Sequence, residues 1–147
     1  MVSTYELVKT FKDKYKSTLC WRIKKHSALI DRNLNNNEKV LYAFAAQYND
    51  SHSNIFDTAV LALTSERIII AQDRILTGYK INTVTPDLYN DMQIDAGIIW
   101  GSITIDTIKE TVTFSNISKK ALSEIQINIS SFMIEAKKQY AKKEKDS

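Results

Sequence analysis

His26 and His52 are the only histidines in this chain, and Cys20 is its only cysteine. These residues could supply a general base, a metal ligand or a nucleophile, but each needs company. A reactive thiol needs a base within reach, and a zinc site needs three or four ligands drawn from cysteine, histidine and carboxylate. No cysteine or carboxylate cluster stands beside either histidine. His26 falls on a helical face with Ile23 and Ile30, and His52 in a polar stretch, so both read as packed or solvated side chains. Cys20, next to Trp21, reads as a packed thiol. Asp87, Asp91 and Asp95 recur every fourth residue, and a helix would gather them for a divalent cation. Met92 and Ile94 alternate as in a strand instead, which makes the aspartates a solvated acidic edge. Three glycines leave no phosphate-binding loop. The expectation is no catalytic residue, no cofactor, no metal site and no enzyme.

The remaining chemistry is charge. The net charge of +3 over 147 residues conceals segregation. Residues 1–34 carry +5, residues 35–117 carry −5 and residues 118–147 carry +3. A basic head and tail therefore flank an acidic middle. Lysines outnumber arginines 16 to 4, and Arg22, Arg32, Arg67 and Arg74 are scattered. Base-edge recognition favours arginine, so specific nucleic-acid binding is not expected. The lysines of the C-terminal segment, Lys137, Lys138, Lys142, Lys143 and Lys145, suit the negative end of a helix dipole. Lys119 and Lys120 do not, because they stand in the first turn of the same helix; they are either tolerated or meet an anion or an acidic neighbour. One cysteine excludes an internal disulfide and fits a reducing compartment. The opening residues are broken by Glu6, Lys9, Lys12 and Asp13, and no apolar run reaches the length of a membrane span. The expected location is the cytoplasm.

These groups must be positioned by a recognisable series of elements. Ser3 and Glu6 form a capping box with Val2 and Leu7 at staple positions, and Tyr5, Val8, Phe11 or Lys12, and Tyr15 follow at helical spacing. A second helix is predicted over 18–34, ending at Asn35-Asn36-Asn37. From Glu38 the period changes to two. Strands are predicted around Val40–Tyr48, Ala59–Leu63, Ile68–Ala71, Thr77–Ile81, Leu88–Ile94, Ile99–Ile105 and Thr111–Ser115. Turns are expected at Ser65-Glu66, Gln72-Asp73, Pro86-Asp87 and Ala96-Gly97. The helical period then returns. Leu122, Ile125, Ile129, Phe132 or Met133, Ala136 and Tyr140 make one stripe, with Ile117 and Leu122 stapling around an N-cap at Ser118. Residues after Tyr140 are expected to fray.

Seven short antiparallel strands followed by one long amphipathic helix is the order of a pleckstrin-homology (PH) barrel. The stretch Leu63-Thr64-Ser65-Glu66-Arg67-Ile68-Ile69-Ile70 resembles the signature of small bacterial PH-like domains, the YokE-like group. Glu38-Lys39-Val40 resembles the opening of their first strand, Gly101-Ser102-Ile103-Thr104-Ile105 a later strand, and Asn116-Ile117-Ser118 the lead into their closing helix. Asp57 departs from a common glycine, and Ser65-Glu66 from the usual Asn-Lys. The resemblance covers about residues 36–140 and implies an α+β, mainly β fold: a PH-like antiparallel barrel closed by the C-terminal helix. The expected organisation is an N-terminal helical extension over 1–35, a PH-like domain over 36–140 and a basic tail over 141–147.

The resemblance implies a fold and a class, not a substrate. In phosphoinositide-binding PH domains the loop between the first two strands is rich in lysine and arginine. Here residues 47–55 contain neither, so no phosphoinositide binding is expected. Two function classes follow. One is a non-enzymatic binding or self-assembly module, in which the basic N-terminal helices clasp a neighbour or lie on their own acidic barrel. The other is a peripheral membrane protein using the basic amphipathic N-terminal segment on anionic lipid. If Ile99 faces the core, Trp100 faces out, and an outward tryptophan beside a turn suits an interface. The candidate contact residues are Trp100, Ile98 and Trp21.

Overall fold

The computed structural model describes residues 2–49, 57–74 and 76–146. Helices α1 (Thr4–Lys14) and α2 (Ile23–Arg32) precede strands β1 (Val40–Asn49), β2 (Thr58–Thr64), β3 (Ile68–Arg74), β4 (Gly78–Val84), β5 (Tyr89–Ala96), β6 (Trp100–Thr107) and β7 (Thr111–Ser118). A 3-10 turn, Lys119–Ala121, leads into α3 (Leu122–Asp146). The strands form one antiparallel sheet in the order β4-β3-β2-β1-β7-β6-β5. β1 is the corner of that sheet. Its residues 40–47 pair with β2, and Gln47, Tyr48 and Asn49 pair with β7. The sheet thus curls around one core as a PH barrel does. Its edge strands β4 and β5 share no ladder among the described residues. An Asn82–Glu110 hydrogen bond ties β4 to the β6–β7 turn instead.

Inside the curl lie Phe44, Tyr48, Leu61, Leu63, Ile68, Ile70, Ile103, Ile105 and Phe114, covered by Leu122, Ile125, Ile129 and Met133 of α3. Met133, not Phe132, is the fully buried member of the helix stripe, and Phe132 packs only partly against the core. At Gly101 the start of the helix lies against the sheet. A β-carbon there would stand 2.5 Å from Leu122 Cδ1 and 2.7 Å from the Asp95 carbonyl oxygen.

A second cluster lies on the opposite face of β1, β2 and β3. Ala43, Ala45, Val60, Ala62, Ile69 and Ala71 meet Val8, Leu29 and Ile30. Small sheet residues let the two helices lie close, so these three strands are buried on both faces. The capping box starts α1 as expected, with the Glu6 N–H donating to Ser3 Oγ at 3.2 Å.

Three local expectations are corrected. The second helix starts at Ile23, because Arg22 adopts a left-handed conformation at φ 55° and residues 18–22 form a non-helical connection. Gln72 and Asp73 belong to β3 and make no turn: Gln72 Nε2 donates to the Thr58 carbonyl at 3.2 Å, and the next turn includes Leu76 and Thr77. α3 continues past Tyr140 to Asp146, since Ala141, the lysines and Glu144 are good helix formers and the cations suit a helix C-terminus.

Candidate contact surface

The residues best equipped for chemistry are committed to holding the fold. Glu38 is buried just before β1 and takes a two-pronged contact from Arg67, with Nε to Oε2 and Nη2 to Oε1 both at 3.0 Å. Thr64 Oγ1 donates to Glu38 Oε2 at 2.5 Å, and the Asn35 N–H donates to Oε1 at 2.9 Å. Arg67 also donates to the Asn33 carbonyl at 2.8 Å. Burial alone would raise the Glu38 carboxyl, but the bonds from Arg67, Asn35 and Thr64 outweigh it and hold it below the usual range. The Glu38 and Thr64…Arg67 motifs therefore clamp the β2–β3 turn to the lead into β1. Glu124 plays a similar part between helices. It accepts from Lys14 at 2.7 Å, Tyr15 at 3.0 Å and Tyr42 at 2.9 Å. Burial pushes its carboxyl up, and the bonds from Lys14, Tyr42 and Tyr15 together bring it below the usual range.

His26 is 1% exposed. Its Nδ1 accepts the Asp73 N–H at 2.8 Å, so Nε2 carries the proton and donates to Thr58 Oγ1 at 3.2 Å. Thr58 Oγ1 donates onward to the Trp21 carbonyl at 2.8 Å, and Arg22 pairs with Asp73 alongside. Burial is the main reason the imidazole titrates at about 4 instead of 6.5. His26 is thus a neutral latch between α2, β2 and β3. Burial also pushes the Cys20 thiol up, away from nucleophilic character. Among the described residues no group of three or more metal-ligating side chains converges, and Asp91 and Asp95 lie along the edge strand β5. His52 and residues 50–55 of the first hairpin loop lie outside the described residues.

The exposed apolar groups gather differently. Gly97, Ile98 and Ile99 join β5 to β6, and the Gly97 N–H donates to the Trp100 carbonyl at 2.8 Å. Ile98 is 93% exposed, Ile99 55% and Trp100 39%. Ile99 does not face the core as expected; Trp100 is exposed on one side while its indole N–H donates to the Ser17 carbonyl at 2.6 Å. The connection between α1 and α2 runs across this end of the sheet. The Leu19 N–H donates to the Asn116 carbonyl at 3.0 Å, and Thr18 Oγ1 accepts the Ser118 N–H at 2.8 Å. Trp21 belongs to the same connection but is anchored over β2 through Thr58. Ile98 and Trp100 therefore share one end, and Trp21 lies further along.

Sequence reasoning singled out Lys119 and Lys120 but missed that Lys14 and Lys16 join them. Lys14, Lys16, Ser17, Ser118, Lys119 and Lys120 line, with Ile98 and Ile99, an open recess of about 430 Å³. The signal was Lys119 and Lys120, placed against the helix dipole. The basic N-terminal helices bury Val8, Phe11, Leu29 and Ile30 against their own sheet. That apolar face is therefore closed by the chain's own sheet and is not open to lipid. No described helix is long and apolar enough to cross a membrane.

Residues 34–130 match the sequence profile of the bacterial PH domain family. No curated protein sequence matches the chain. Among solved structures, a PH domain from Shewanella amazonensis aligns at 14% identity and TM-score 0.49, covering 75% of this chain and 86% of its own. A PH-domain protein of the DUF1696 family from Shewanella loihica aligns at 12% identity and TM-score 0.49, covering 78% of this chain and 92% of its own.

Proposed function

This chain belongs to the bacterial PH domain family, and on that premise we propose that it is a non-enzymatic binding module whose contact surface is the β5–β6 end. The observation that carries the reading is the run of Ile98, Ile99 and Trp100, exposed side by side on a protein whose core is complete without the two isoleucines. Water-facing aliphatic side chains at a hairpin tip add nothing to folding and favour association, so a partner is the physical account of them. Its groups of potential chemical use, Glu38, Arg67, His26 and Glu124, are engaged in structural contacts.

Ile98→Ser with Ile99→Ser separates a contact surface from a structural one. The variant is expected to unfold within about 0.5 kcal/mol of the wild type, as exposed substitutions do. A loss of several kcal/mol would show that the isoleucines hold the fold and would end the reading. Self-association is the first partner to test. Light scattering at rising concentration is expected to lose any oligomer of the wild type in this variant and in Trp100→Ala. Oligomers that persist in both would remove this end from the contact.

A further inference from the structure

The apolar stripe of α3 is longer than the sheet it covers. Leu122, Ile125, Ile129 and Met133 are buried, and no residue of the helix beyond Met133 is. The stripe nevertheless runs on through Phe132, Ala136 and Tyr140, each four residues from the last and so on one face. Glu135, Gln139 and Lys143 make a second row beside it at the same spacing. Across from both rows stand Ser65 and Glu66 of the β2–β3 turn and the buried Pro86 ahead of β5. Together they enclose an open recess of about 470 Å³, within the roughly 300–1,000 Å³ of small-molecule sites.

Both walls are fixed by contacts outside the recess. The Ser65 N–H donates to the Lys39 carbonyl at 2.8 Å, Thr64 Oγ1 accepts the Glu66 N–H at 3.0 Å, and Asn35 Nδ2 donates to Glu66 Oε1 at 3.2 Å. On the other side Lys137 Nζ donates to the Tyr89 carbonyl at 2.6 Å and pins α3 to the start of β5. The lining combines two aromatic rings with one carboxylate on each wall, Glu66 from the sheet and Glu135 from the helix. Neither carboxylate has an ion pair among the described residues. Arg67, next to Glu66, is turned to Glu38. Lys143 is the only cation in the lining. Ring faces and carboxylates both attract cations and repel anions, so the charge of a ligand here is positive. Phe132, Ala136 and Pro86 between the carboxylates call for an apolar body joining its charges.

We propose that this recess binds a linear aliphatic polyammonium ligand, with one ammonium group on Glu66, another on Glu135 and the methylene chain over Phe132 and Tyr140. It is a second site, independent of the β5–β6 surface. That surface lies at the opposite end of α3, where the Lys119 N–H donates to the Ile99 carbonyl at 3.0 Å.

The test is isothermal titration calorimetry of the full chain with spermidine and with putrescine at low salt. One-to-one binding tighter than about 1 mM is expected for spermidine. Magnesium chloride, a compact dication with no apolar body, should neither bind there nor displace it. Glu66→Gln and Glu135→Gln are each expected to weaken binding about fivefold or more, and Tyr140→Leu, which keeps the apolar bulk but removes the ring, about threefold. Lys143→Gln should tighten it, because it removes the like charge from the wall. Asp13→Asn on α1 lowers the negative charge equally and should leave it unchanged. Unfolding curves establish that each variant is folded. A folded wild type that takes up neither amine at 10 mM overturns the proposal, as does binding that survives Glu66→Gln combined with Glu135→Gln. Equal binding of magnesium would reduce the effect to counterion attraction and overturn it. A chain that binds tetralysine but neither free amine would point to a protein partner and overturn it as well.

Discussion

α1 and α2 meet the sheet in one way, and α3 in another. Under α1 and α2 the sheet presents Ala43, Ala45, Ala62 and Ala71 with Val60 and Ile69, and the helices lie flat on it. Under α3 the same strands present Phe44, Tyr48, Leu61, Leu63, Ile68 and Ile70, because the concave side of a curled sheet encloses volume that must be filled. Among the described residues no helix covers the convex face of β6, and Ser102, Thr104 and Asp106 occupy it. Residue size thus reports which side of the curl a strand position faces, and polarity reports whether a helix covers it.

The largest effect that could break this comparison comes from a charge on each convex face. Ala62→Asp buries a carboxylate under α1 and α2 and should cost about 4 kcal/mol or more, enough to unfold the chain in part. Thr104→Asp on the uncovered face should cost less than about 0.5 kcal/mol. Urea denaturation of both variants checks the contrast, and equal losses would show that the helices do not seal β2.

On the concave side, Met133→Ala should cost about 3 kcal/mol and Phe132→Ala clearly less, because only Met133 is wholly buried. The reverse order would mean that α3 is rotated about its axis from the face described.

The latch beneath α2 should make the convex layer sensitive to acid. The unfolded chain protonates His26 near 6.5, whereas the folded chain holds it neutral to about 4. Between those values the unfolded state binds more protons, so stability rises with pH. The contribution is complete above 6.5 and is lost as pH falls to about 4, a change of roughly 3 kcal/mol. The difference in unfolding free energy between wild type and His26→Gln, followed over that interval, isolates it; a constant difference would show that His26 is not the group that titrates.

Gly101→Ala should have the smallest effect, about 1–3 kcal/mol, because the added methyl meets a backbone carbonyl as well as the movable Leu122 side chain. A neutral outcome would place α3 further from β6 than described.

Much of this architecture was legible in the residues. Ser3 and Glu6 begin α1 because a capping box is local chemistry. The seven strands and α3 follow from a period of two giving way to 3.6, and the Leu63–Ile70 and Glu38–Val40 stretches carried the family resemblance, matched by the profile over 34–130. Arg22 was hidden because a left-handed residue in a helical pattern leaves no apolar signature. Gln72 and Asp73 looked like a turn because both are polar, yet a buried amide can pair inside a strand. The lysine recess was half visible. Lys119 and Lys120 stood out as misplaced, but Lys14 and Lys16 lie more than a hundred residues away in the chain.

By itself the sequence determined the strand count, the closing helix, the absence of a paired cysteine and the segregation of charge, since each depends on residue type and short-range order. Only the tertiary structure decided that α1 and α2 cover their own sheet and that the Glu38, Thr64 and Arg67 motifs form a clamp. It also decided that Trp100 is held by Ser17 while Ile98 stays free. The physical reason is that period and propensity act between neighbours a few residues apart, whereas burial and ion pairing depend on which distant surfaces the curl of the sheet brings into contact.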